Sequence, residues 1–144
     1  MFKSILVPVD AQEPHFAKPA LKYAVDAARQ LGAELHIMTV LPGYGMPLVA
    51  SFFPDDALRK IREKAAQSVE VFVGENVPDD VNAQLELAEG RRPYEEIVNH
   101  AKAVGVDLIV IPSHHERGLQ EVMLGSCASN VASHAPCSVL VLRS

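Results

Sequence analysis

Two points in this chain place polar, chemistry-bearing residues at the ends of apolar runs. The first is Gly125-Ser126, where a helical pattern starts after the loop that follows Leu108 to Ile111. A helix start leaves N–H groups without partners and carries a partial positive charge, which suits a phosphate. Gly125 permits close backbone approach, and Ser126 reads as the N-cap. The second is Asp10, which follows the run Lys3 to Val9. An ionised carboxylate accepts strong charge-assisted bonds. Pro112, Ser113, His114 and His115 end the later run in the same way. Open parallel sheets bind ligands at the carboxyl ends of strands, where the strand order reverses. If these two runs are neighbours, their ends flank one crevice with Gly125-Ser126 as its floor.

Other chemistries find less support. Adjacent His114 and His115 point apart, and no cysteine or carboxylate stands at ligand spacing, so metal is not expected. Cys127, beside the helix start, reads either as a thiol of lowered pKa or as a small packing residue, the commoner case. Cys137, at the start of a buried strand, reads as packing. Asp10 alone fits a simple turn cap. Arg91 and Arg92 read as solvated surface that is able to reach an anion. No Gly-x-x-x-x-Gly-Lys run occurs, and Gly90-Arg91-Arg92 does not match a dinucleotide fingerprint. No nucleophile elbow is present either.

These residues need elements to hold them. Lys3 to Val9 reads as a strand buried on both faces, with Pro8 near its end. From Pro14 to Leu31, apolar residues at Leu21, Ala24, Val25, Ala28 and Leu31 fall on one helical face, and Gly32 stops the helix. Glu34 to Leu41 is a second strand, and Gly43 to Pro54 an irregular connection. Asp55 or Asp56 caps a second helix that ends near Phe72. Asn82 to Ala88 is a third, weaker strand, and Gly90 to Pro93 turns the chain into a third helix ended by Gly105. Asp107 to Ile111, Ser126 to His134, and Ser138 to Leu142 complete the pattern as strand, helix and strand. Strict alternation implies parallel pairing with right-handed crossovers, a three-layer α/β/α sandwich in one domain over residues 1–144.

Composition agrees. At 144 residues the chain is large enough for a real core, and 49% apolar residues argue against disorder. A net charge of −5 without a basic stripe argues against nucleic acid as partner. No apolar stretch is long enough to cross a membrane. The amino end lacks a signal-peptide pattern, and two cysteines are too few for a disulfide framework. A cytoplasmic location is expected.

With these residues in view, the chain resembles the universal stress protein family over nearly its whole length. ATP-binding members carry Gly, two residues, Gly, nine residues, then Gly-Ser or Gly-Thr. Here that frame reads Pro112, two residues, His115, nine residues, Gly125-Ser126. The opening ILVPVD, the Gly90 to Pro93 turn leading to Ile97, and the closing SNVASHAPCSVLVLR also match. The resemblance implies a doubly wound five-strand sheet in order 3-2-1-4-5, of the adenine nucleotide alpha hydrolase-like kind. It implies a stress-response regulatory protein that binds ATP or another adenine nucleotide, with or without Mg2+. Pro8, Val9, Asp10 and Val40 would lie at base and ribose. Pro112, Ser113, His115, Gly125, Ser126, Cys127 and Ala128 would lie around the phosphates. It also implies a homodimer joined through the last strand, Val139 to Leu142. Pro112 removes one N–H donor, and His115 adds a side chain where backbone should approach closely. A second reading therefore stays open: a nucleotide-free interaction protein with a decayed pocket. A third is weak ATPase activity or self-phosphorylation at Ser113 or Ser126, for which no general base stands out.

Overall fold

The apolar run at the amino end forms β1, Ser4–Pro8, and each of its residues is buried. Alternate side chains leave it in opposite directions. Ile5 and Val7 enter one core layer, and Leu6 enters the other. A central strand of this kind needs helices on both faces, and the rest of the chain supplies them. The computed structural model describes residues 1–42, 55–113 and 125–143.

After β1 come a single 3-10 turn, Pro14–Ala17, and α1, Lys18–Leu31. Gly32 closes α1 in the left-handed region at φ 66°, where glycine carries no Cβ penalty. Then follow β2, Glu34–Pro42; α2, Asp55–Asn76; β3, Ala83–Gly90; and α3, Pro93–Val104. The chain ends with β4, Leu108–Ser113; α4, Ser126–His134; and β5, Ser138–Arg143. All five strands are parallel, in the order β3-β2-β1-β4-β5. Leu21, Val25, Val69 and Phe72 of α1 and α2 pack on the Ile5–Val7 face. Ile97, Ala101 and Val131 of α3 and α4 pack on the Leu6–Ile109 face.

Several boundaries differ from expectation: α2 runs to Asn76 instead of ending near Phe72, and α1 starts at Lys18 after a 3-10 turn. β3 continues past Ala88 because Leu41 and Pro42 pair with Glu89 and Gly90, a non-local contact that local composition does not signal. β4 runs past Ile111 to Ser113, paired throughout with β5. Pro112 is tolerated there because the β1–β4 ladder consists of Ile5↔Leu108 and Leu6↔Ile109, so that side of Pro112 is not asked for an N–H. At α4 the N-cap is Gly125, with non-helical φ −56° and ψ 152°, and Ser126 is the first helical residue. The expectation that Ser126 caps the helix is thus corrected by one residue.

The junction of β1 and β4 is held at its amino end. The Asp107 carboxylate accepts the Lys3 N–H at 2.9 Å and the Ser4 N–H at 3.0 Å. The Asp107 N–H donates in turn to the Ser4 carbonyl at 3.0 Å. Desolvation pushes the Asp107 carboxyl upward, but the Lys3 and Ser4 N–H groups outweigh it and hold it below its ordinary value. Stability from this group is therefore full above the ordinary carboxyl value near 3.8 and is lost as pH falls through the lower folded value. Asp107→Asn should cost about 1 kcal/mol at neutral pH, allowing for the exposure of the site. Urea titrations of both proteins from pH 7 downward should show the difference shrinking in acid.

Candidate functional site

Beyond Ile109 the two central strands no longer share ladder bonds, and their carboxyl ends part. This is the point where strand order reverses, β2 lying on one side of β1 and β4 on the other. A cavity of about 530 Å³ opens there, within the range of small-molecule sites. Pro8, Val9 and Asp10 form one wall, Val40 with Met38 the base, and Ile111, Pro112 and Cys127 the other wall. Its far rim is Gly90, Arg91 and Pro93, where β3 meets α3.

Each wall is fixed by the backbone around it. The Val9 N–H donates to the Met38 carbonyl at 2.8 Å, continuing the β1–β2 ladder past β1. The buried Thr39 hydroxyl donates to the Val9 carbonyl at 2.7 Å. Both polar groups of the Val9 backbone are thus engaged, and Val9 meets the cavity as apolar wall. Asp10, one residue on, is exposed, and its Oδ1 accepts the Gln12 N–H at 2.9 Å. The turn-capping reading of Asp10 therefore holds, and the same carboxylate lines the cavity.

On the opposite side, no side chain among the described residues caps the start of α4. The N–H groups of its first turn, at Ser126, Cys127 and Ala128, have no carbonyl of their own helix to bond. The Ser129 N–H is the first to do so, reaching the Gly125 carbonyl at 2.9 Å. Gly125 is half-buried, and a Cβ placed on it meets no described atom within 4 Å. Its φ is negative, so the backbone conformation there does not require glycine.

Cys127 lines the cavity with Ile111 and Pro112. Burial, and then the nearby Asp10 carboxylate, push its thiol above the ordinary range. A lowered-pKa nucleophile is thus not what this position gives: burial, and then the Asp10 charge, favour the neutral thiol. The thiol stays protonated at neutral pH and serves as a small cavity-lining group. Cys137 is likewise pushed up, by burial first and then by Asp107.

Of the residues singled out in the sequence, Pro8, Val9, Asp10, Val40, Pro112 and Cys127 meet around one cavity. Ser113 is buried behind it and accepts the Gly125 N–H. Gly125, Ser126 and Ala128 form the adjoining helix start. His115 lies outside the described residues, as do His114 and the Gly43 to Pro54 connection. Thr39 and Arg91 were not anticipated as part of the site. Arg92 forms an ion pair with Glu95 at 3.2 Å, whereas Arg91 stands exposed on the cavity rim. The Thr39 signal was in the pattern: a polar residue inside an otherwise apolar buried strand needs a buried partner.

Comparison with known proteins extends this picture. The model of the Universal stress protein family matches residues 1–143. Universal stress protein YxiE of Bacillus subtilis is 32% identical, with 99% of this chain and 100% of that protein covered. The solved structure of MJ0577, a universal stress protein of Methanocaldococcus jannaschii, superposes with a TM-score of 0.79 at 28% identity. That match covers 100% of this chain and 97% of the other. Two more distant structures share the fold. One is a universal stress protein in complex with cAMP, with TM-score 0.59 at 21% identity over 99% of this chain and 97% of the other. The other is the Archaeoglobus fulgidus protein in complex with dAMP, with TM-score 0.65 at 23% identity over 97% of each chain.

Proposed function

This chain belongs to the universal stress protein family, and from that premise we propose that it is a regulatory protein that binds an adenine nucleotide in the cavity between β1 and β4. The observation that carries the reading is the uncapped start of α4 beside that cavity. Three backbone donors in one turn, with the dipole behind them, form a site for one phosphate group. The walls supplied by Val9, Val40 and Ile111 are apolar and suit a base, and Asp10 supplies an acceptor for ribose hydroxyls. Two proteins of this fold were solved with cAMP and with dAMP, which supports adenine as the base.

Pro8, Val9, Asp10 and Val40 are assigned to base and ribose, and Gly125, Ser126, Cys127 and Ala128 to the phosphates. ATP, with or without Mg2+, is the ligand the family resemblance favours, and AMP-like ligands use the same first turn. The Pro112 replacement does not count against the reading. Pro112 lies in β4 on the cavity wall, whereas the donors reside in α4. Binding rather than turnover is assigned. The protein works in the cytoplasm as a homodimer paired through β5, whose apolar edge needs cover. No helix among the described residues is long and apolar enough to cross a membrane. The test is denaturing release of small molecules from freshly purified protein, followed by mass identification. An adenine nucleotide at a substantial fraction of the protein concentration supports the proposal. Its absence, together with no thermal shift on adding ATP or AMP, returns the chain to the interaction-protein reading.

A further inference from the structure

Ser113 is the last residue of β4 and is 5% exposed, although it is polar. Its Oγ accepts the Gly125 N–H at 3.2 Å, across twelve positions of sequence. Gly125 is thereby held from both sides. Its N–H is tied to the sheet through Ser113, and its carbonyl to α4 through the Ser129 N–H. The two peptide groups that flank Gly125 are each tied at one end, and the next three N–H groups inherit their direction from them. Ser113 itself is held in the β4–β5 ladder opposite Arg143. The chain is one of rigid parts: ladder, hydroxyl, Gly125, first helical turn.

We infer that Ser113 is a positioning residue for phosphate recognition: its hydroxyl aims the α4 donors at the cavity rather than touching the ligand itself. The inference rests on the nucleotide reading above and adds to it a residue that acts through Gly125. It also assigns a different role to a side chain that self-phosphorylation chemistry would use as a nucleophile. The oxygen that would attack is 5% exposed as part of its residue and is engaged at the Gly125 amide.

The test compares the unaltered protein with Ser113→Ala and Ser113→Thr. Calorimetry is run with AMP and with adenosine, which differ by the phosphate alone. Losing the acceptor leaves the Gly125 N–H unbonded and the first turn of α4 free to tilt. Ser113→Ala should weaken AMP about tenfold, the effect of one well-aimed bond to a charged group, and leave adenosine unchanged. Ser113→Thr keeps the hydroxyl and should restore AMP binding. Amide hydrogen exchange on the free proteins should show Gly125 and the first turn of α4 exchanging faster in Ser113→Ala, with α3 unaffected. Unchanged AMP affinity in Ser113→Ala, or equal weakening of AMP and adenosine, overturns the inference and leaves the nucleotide reading standing. If the unaltered protein binds neither compound, the nucleotide reading itself fails and the assigned role of Ser113 falls with it. Unchanged exchange at Gly125 in that case removes the latch as well.

Discussion

On the proposed nucleotide reading, Gly125→Val should lower the affinity for an adenine nucleotide by about 100-fold and leave the protein folded. An N-cap side chain lies over the N–H groups of the second and third helical residues, which is why Ser and Asp cap helices from this position. Glycine leaves those donors bare, and no side chain among the described residues caps α4. A valine there covers the donors with methyl groups and excludes a phosphate. Losing two charge-assisted bonds of about 1.5 kcal/mol each gives roughly the stated factor. The fold tolerates the change for two reasons. The Cβ enters space free of described atoms, and φ −56° with ψ 152° is ordinary extended backbone. The stability cost is about 1 kcal/mol, the usual difference between glycine and a β-branched residue at an N-cap. Calorimetry with AMP, alongside a thermal melt, separates the two effects. Unaltered affinity in Gly125→Val would move the phosphate away from α4.

If the chain pairs through β5 as proposed, Val141→Lys should convert dimer to monomer at micromolar concentration. β5 pairs with β4 on one side, and among the described residues no strand lies on its other side. Val139, Leu140, Val141 and Leu142 are each half-buried, on both faces of that edge, and no charge interrupts them before Arg143. The opposite edge is built differently: Gln84, Glu86 and Glu89 of β3 are exposed polar groups that discourage pairing. The β3 edge carries more charge, although Leu87 is also exposed there, and β5 is therefore the edge proposed to pair. A two-fold contact uses the same patch of both copies, so one lysine per chain places two like charges in the interface. Dissociation should rise by about 100-fold or more, the cost of desolvating those charges without partners. Light scattering across a concentration series reads it directly. A monomeric unaltered protein contradicts the dimer, and a dimeric Val141→Lys protein moves it to another surface.

Much of this architecture was legible in the residues because its causes are local. Ile5, Val7, Leu35, Ile37, Ile109 and Val110 form short apolar runs that only a doubly covered sheet can bury. Gly32 and Gly105 read as helix stops, and both adopt positive φ, 66° and 78°. What stayed hidden depends on partners distant in sequence. Asp107 reads as a polar strand start, yet it fastens β1 through Lys3 and Ser4, more than a hundred positions away. Thr39 reads as a strand residue, and its role at Val9 exists only once β2 lies beside β1. Ser126 looked like the cap because serine favours that position, but the sheet connection through Ser113 holds Gly125 there instead. Arg91 joins the cavity rim because β3 extends to Gly90 against Pro42, which places the turn beside the carboxyl ends of the central strands.

On the proposed function, the cavity between β1 and β4 holds an adenine nucleotide with its phosphate on α4. Isothermal calorimetry of the unaltered protein with ATP and with AMP, each with and without magnesium and up to millimolar ligand, tests it most directly. Saturable heat at one site per chain, abolished by Gly125→Val, is the predicted result. No heat and no thermal shift with any adenine nucleotide would contradict it.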